Sequence, residues 1–267
     1  MTFLYSERTG PGLLAEPLNA VTNLAFFVAA WAAWRLARRR SGTGKGTAEP
    51  PNPPSSVAAV DLPSVALAKE GDRGPRPAVA ATGDCDAAPP CSVATLDPGV
   101  AVLVFLLAII GIGSTLFHTF ATEWARMLDV FPILLFQLFF TWLYARTVMR
   151  ASVAGAAGVL AAFVATCACA GVLPAGALNG SLMYAPAWFF LALLGACHAA
   201  TRRPERWTLL AAAGVFTLSL SFRTIDLAAA QVFPHGTHFL WHLLNGLTLY
   251  LAIRSVIVAG GESRHAS

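Results

Sequence analysis

Residues 99–120, GVAVLVFLLAIIGIGSTLFHTF, decide the architecture. From Gly99 to Gly113 no side chain is polar, and the whole run matches the roughly 20 residues an α-helix needs to cross the hydrocarbon core of a bilayer. It is continuous rather than alternating, unlike a barrel strand. Helices and closed barrels are the only spanning structures that satisfy every backbone group in lipid. Working outward, comparable runs occur at about 17–37, 125–147, 152–173, 182–200, 207–227 and 237–258. The sequence therefore predicts an all-α integral membrane bundle of seven transmembrane helices. Composition agrees: 56% of the 267 residues are hydrophobic and 12% are charged, against roughly 25% charged in an average soluble domain.

The net charge of +4 and the pI near 9.0 would suggest a nucleic-acid partner in a soluble protein. Here most arginines flank apolar runs and read as topology signals, so no nucleic acid is expected. Of the eighteen Lys and Arg residues, all but Arg8, Arg126 and Arg223 fall on one side of the predicted spans. The positive-inside rule then places the N-terminus outside and the C-terminus in the cytoplasm. The first 16 residues are polar and contain Gly and Pro, and the first span is followed by Arg35, Arg38, Arg39 and Arg40. That pattern predicts a retained anchor rather than a cleaved signal peptide. The five cysteines form no CxxC pair and support neither a disulfide framework nor a cysteine zinc site.

The chain divides into an outer N-terminal segment at 1–16, a membrane domain at 17–37 and 98–258, and a C-terminal tail at 259–267. Residues 38–97 are rich in Gly, Pro, Ala and Ser and poor in aromatics, the composition of a flexible loop, here cytoplasmic.

Few polar residues interrupt the spans, and those that do are functional candidates because burying them in lipid is costly. Ser114 and His118 stand four residues apart near the end of the second span, on one helix face. Asp129 lies just inside the third. His238 and His242 open the seventh, again at i and i+4. Two histidines at that spacing project from one face and can share a metal ion. With alternating span directions, all five residues fall at one depth near the outer face. Three histidines suit catalytic zinc, which takes three protein ligands and keeps a position for water of lowered pKa. Asp129 is placed to take a proton from that water, and Ser114 to hydrogen-bond the oxygen of an attacked carbonyl. Blander readings stand beside these. Ser114 lies among Gly111 and Gly113 and suits helix packing, and Asp129 could pair with Arg126 or Arg223.

His235 is a spare ligand or nothing, and His198, beside Arg202 and Arg203 at the cytoplasmic end, and His265, in the tail, read as solvated. Arg223 and Asp226, spaced i, i+3, read as an ion pair. Phe117, Phe120, Phe131, Phe239 and Trp241 suit an amphiphile whose chains stay in lipid, or an interfacial aromatic belt.

The run of Ser114 and His118, Asp129 eleven residues later, the closing His238 and His242, and the opening SERTGPGLLAEPLNAVTNLAFF resemble the alkaline ceramidases, within the CREST group of seven-span hydrolases. The resemblance covers nearly the whole chain apart from the long loop. It implies an intramembrane zinc amidase that cleaves the N-acyl bond of ceramide to a sphingoid base and a fatty acid. On that reading His118, His238 and His242 hold Zn2+, Asp129 activates the water and Ser114 stabilises the oxyanion. The family's eukaryotic members also carry an N-terminal calcium site, matched here only in part by Glu7, Glu16 and Asn19. A hard cation wants about six to eight oxygen ligands, and this segment offers few carboxylates. The expected partner is a membrane lipid, ceramide or another N-acyl lipid, with no protein partner. The alternative is a heptahelical receptor or lipid-binding protein in which zinc only staples helices together.

Overall fold

The computed structural model describes residues 5–8, 10, 12–13, 15–43, 96–174 and 176–262. Among them every regular element is helical: α1 (Pro17–Thr22), α2 (Leu24–Thr43), α3 (Pro98–Phe120), α4 (Glu123–Thr147), α5 (Val153–Gly171), a 3-10 turn at Ser181–Tyr184, α6 (Ala185–Ala200), α7 (Thr208–Ala229) and α8 (His238–Glu262). Seven spans are long and apolar enough to cross a membrane, the first formed by α1 and α2 together. They fall where the apolar runs predict, except that α2 and α8 run on: α8 continues to Glu262, past the expected end at 258 and into the expected tail. The first span was expected to end at residue 37, but α2 continues through Arg38, Arg39 and Arg40 to Thr43. Arginine is a good helix former, and Arg35 and Arg38 each lie about one turn beyond a tryptophan, with their guanidinium carbons 4.9 Å from the Trp31 ring and 5.0 Å from the Trp34 ring. These cation–π contacts carry the helix past its apolar part. Residues 44–95 of the expected loop lie outside the described residues, as does His265.

Helices adjacent in sequence pack against each other from α3 through α8, and α2 closes the ring between α3 and α8. Helix α8 also touches α4, which makes it the innermost: 61% of its most apolar stretch is buried, against 11% for α5. Exposed Val28, Phe105, Phe131, Val164 and Leu247 form part of an apolar outer surface, as lipid-facing helices require.

The α3–α4 corner has a local cause. Asp97 caps α3 by accepting from Val100 N at 3.1 Å, with Pro98 in the first turn. The helix ends at Ala121, whose φ of 48° is left-handed. Helix α4 then returns beside α3. Pro132 lies inside α4 and has no N–H to offer the Leu128 carbonyl one turn earlier. Gly113 of α3 sits against that carbonyl, where any β-carbon would overlap it. Proline and glycine together let the two backbones close up beside Ser114 and Asp129.

The start of α8 is fixed by Asp226 at the end of α7. Its Oδ1 accepts from Thr237 N at 2.7 Å and His238 N at 2.9 Å, and its Oδ2 accepts from Ser6 N and Ser6 Oγ, both at 3.0 Å. Gly236, with φ of 64°, makes the turn before the helix, where a side chain would collide with Ser6 and Asp226. Arg223 and Asp226 therefore do not pair as their spacing suggested: Arg223 Nη1 donates to Tyr5 Oη at 2.7 Å instead. The N-terminal segment competes successfully for both side chains because it folds back across the end of the bundle.

Candidate metal centre

The imidazoles of His118, His238 and His242 meet at the end of the bundle where α3 finishes and α8 begins. All three are about 1% exposed. Their candidate ligand nitrogens lie within 4.8 Å of one another. Ring centroids are 4.7 Å apart for His118–His242 and His238–His242, and 5.3 Å for His118–His238. The i, i+4 spacing on α8 accounts for one pair. The third ring arrives because α3 packs on α8.

Two of the rings are oriented from behind. His118 Nδ1 donates to Glu16 Oε2 at 2.5 Å, and His242 Nδ1 faces Thr22 Oγ1 at 3.0 Å and the Asn19 carbonyl. A proton held on Nδ1 leaves the Nε2 lone pair for a cation, the arrangement typical of histidine ligands. His238 Nδ1 is buried with no hydrogen-bond partner among the described residues, which leaves that nitrogen unclaimed there. Three convergent imidazoles with an unclaimed nitrogen among them fit a bound divalent cation.

Asp129 enters from α4, half-buried. Ser114 hydrogen-bonds its carboxylate, and His118 and Arg223 lie within electrostatic reach. Arg126 does not compete, because it is half-buried and pairs with the exposed Glu123 at 2.8 Å. All five residues singled out from the sequence are thus neighbours. His235 is exposed beside Phe233 and stands outside the cluster.

Tyr5 covers the histidines, and no motif or spacing marks it in the sequence. Tyr5 stacks on His238 at a centroid distance of 3.5 Å and an angle of 15°, and touches His118 at 5.3 Å. Burial pushes its phenol above the ordinary tyrosine value even though Arg223 beside it pulls the other way. Arg223 is itself buried among the rings of Tyr5, Tyr184 and Trp241, 5.3–5.4 Å from each centroid. Such a desolvated cation over aromatic faces is held by the ring quadrupoles. The signal available was an arginine inside an apolar run; its partner lies 218 residues away in the chain.

Of the partial calcium match, Glu7, Glu16 and Asn19 are all buried, and both carboxylates are already committed, while Asn19 Oδ1 has no hydrogen-bond partner among the described residues. Glu7 caps α1, accepting from Leu18 N at 2.7 Å and Asn19 N at 2.8 Å. Glu16 takes His118 and Asn19 on one oxygen and Arg8 Nε on the other. Burial raises the Glu16 carboxyl, yet these donors hold it below the ordinary carboxylate value. Arg8 also donates to the carbonyls of Gly12 at 3.2 Å and His118 at 2.8 Å. A built-in guanidinium thus occupies the oxygens around Glu16. Among the described residues, the three histidines are the only metal-ligand cluster of their kind.

His198, expected to be solvated, is about 1% exposed. Its Nδ1 accepts from Tyr144 Oη at 2.6 Å and its Nε2 donates to the Pro204 carbonyl at 3.0 Å. The turn after α6 folds that carbonyl over the ring, which a reading of nearby Arg202 and Arg203 did not anticipate. Comparisons of the chain with protein-family models, curated proteins and solved structures find no match.

Proposed function

We propose that this membrane protein is a zinc-dependent lipid amide hydrolase, with the N-acyl bond of ceramide as the expected substrate. The observation that carries the reading is the convergence of three buried imidazoles, two oriented by Glu16 and Thr22, with Asp129 and Ser114 beside them. Three histidines with a position left for water suit zinc. A cation bound there would supply Lewis acidity to a water and to the substrate carbonyl.

The chain's own residues then have separate tasks. Glu16 and Thr22 keep two histidine rings in the ligating tautomer. Asp129 takes a proton from the attacking water and passes it to the departing amine nitrogen. Ser114, now donating to Asp129, turns its hydroxyl to the carbonyl oxygen as negative charge develops there. Tyr5 and Phe117 keep bulk water away from the rings.

A lipid substrate is supported by a cavity of about 60 Å³ that begins one turn farther into the bundle. Its walls include Ile133, four residues after Asp129, and Trp241, three after His238, together with Phe136, Phe140, Phe163 and Tyr184. The first few methylenes of an alkyl chain fill a space of that size and would leave the carbonyl at the level of the histidines.

The discriminating variant is Asp129→Asn, tested on full-length protein in detergent with fluorescent ceramides and other N-acyl lipids, with and without a zinc chelator. Hydrolysis should fall by about 10²–10⁴ while metal content and folding persist. Undiminished hydrolysis would remove Asp129 from the chemistry. Wild-type protein that binds metal yet hydrolyses none of these lipids would favour the receptor reading.

A further inference from the structure

Arg8 precedes the first span in a short non-helical segment, yet its side chain is completely buried, against a Glu16 carboxylate that is 3% exposed. Burying a charge is costly unless it is paired and its donors are used. Here all three guanidinium nitrogens are used. Nε donates to Glu16 Oε1, Nη1 to the Gly12 carbonyl at 3.2 Å and Nη2 to the His118 carbonyl at 2.8 Å.

The last of these contacts falls on the final turn of α3. Carbonyls there have no partner within the helix, and helix ends fray. A metal ligand carried on such a turn needs support from outside. Glu16, gripped by Nε on one oxygen, accepts from His118 Nδ1 on the other. One guanidinium thus fixes His118 twice, its backbone directly and its ring through Glu16. The circuit closes on a residue whose imidazole belongs to the histidine cluster.

We infer that Arg8 is a positioning residue of the metal centre, locking the His118 imidazole toward the cation site through a closed circuit with Glu16 and the His118 carbonyl. This role rests on the metal centre of the hydrolase reading and on none of its chemistry. The group behind a ligating histidine sets the tautomer and direction of the ring, and its loss weakens metal binding. Arg8 does this at one remove, because it holds the carboxylate that holds the ring. Arginine suits the task. A guanidinium presents its nitrogens in one rigid plane toward acceptors on different sides, whereas a lysine ammonium is a single point of charge. Two residues earlier, Ser6 meets the Asp226 carboxylate that fixes the His238 backbone. The N-terminal segment therefore braces a ligand on α3 and a ligand on α8.

The test is the zinc affinity of full-length protein in detergent, measured by competition with a chromogenic chelator so that no turnover enters the readout. Arg8→Ala should weaken zinc binding by about 10–100-fold. Arg8→Lys, which keeps the charge, should weaken it as well and decides the matter if Arg8→Ala does not fold. Glu16→Gln should have a similar effect. Because the two residues act as one unit, the variant carrying both Arg8→Ala and Glu16→Gln should lose far less than the product of the single losses. With Co2+ in place of zinc, the visible bands of Arg8→Lys should shift from those of wild type as the ring turns. Undiminished zinc affinity in the folded Arg8 variants would overturn the proposal, as would single losses that multiply in the combined variant. Tyr144→Phe, which unpairs His198 at the opposite end of α4, controls for general destabilisation: a loss of zinc affinity there equal to that of Arg8→Ala would also overturn it. Wild-type protein that binds no zinc would defeat the metal centre itself, whereas normal binding that ignores Arg8 defeats this role alone.

Discussion

The bundle buries histidines at both ends of α4, and the two sites are wired differently. His198 near Tyr144 has one nitrogen satisfied by a phenol and the other by the Pro204 carbonyl. At the Asp129 end, Glu16 and Thr22 hold the Nδ1 atoms of His118 and His242, while a buried nitrogen of His238 has no partner among the described residues. The first is a closed hydrogen-bond chain that ties α6 to α4 and to the turn before α7. The second directs uncommitted donors at one another. Burial alone does not distinguish a ligand from a packing histidine; the accounting of ring nitrogens does.

Substitutions should separate the two ends by what they damage. At the Asp129 end, Ser114→Ala should lower hydrolysis of N-acyl lipids by about 10²–10³ with little change in thermal midpoint or metal content. A mere packing serine would show the reverse pattern. At the other end, Tyr144→Phe leaves His198 Nδ1 buried and unpaired, which should cost about 1–3 kcal/mol of stability. Metal content per folded chain should stay constant there; a loss would mean that the two ends are coupled. The smallest effect belongs to Glu205, in the turn that covers His198. Its carboxylate binds Arg254 and Thr208, and the hydrogen bond from Arg254 holds it below the ordinary carboxylate value. A lowered folded-state value means that the contribution is present at neutral pH and lost as pH falls through that value. Because the pair is partly exposed, Glu205→Gln should cost less than about 1 kcal/mol near pH 7. The difference from wild type should vanish in acid, as a series of melting curves would show.

The spans were legible because a run such as 99–113 has no soluble alternative, and the candidate metal centre because helical spacing and alternating span direction place Ser114, His118, Asp129, His238 and His242 at one depth. Contacts made by the N-terminal segment were not legible. Tyr5 on His238, Glu16 behind His118 and Ser6 on Asp226 join positions more than a hundred residues apart, and no periodicity encodes them. His198 was misjudged for a related reason: basic neighbours suggested solvent, whereas the chain folds a proline carbonyl over the ring.

The central claim is that three imidazoles from two distant parts of the chain share one cation. Metal analysis of full-length protein purified through a tag without histidine tests it most directly. The account predicts about one zinc per chain in the wild type and a fall to background in His238→Ala, with the His198→Ala protein unchanged. Metal-free wild-type protein, or zinc retained in full after each of the three histidines is replaced in turn, would contradict it.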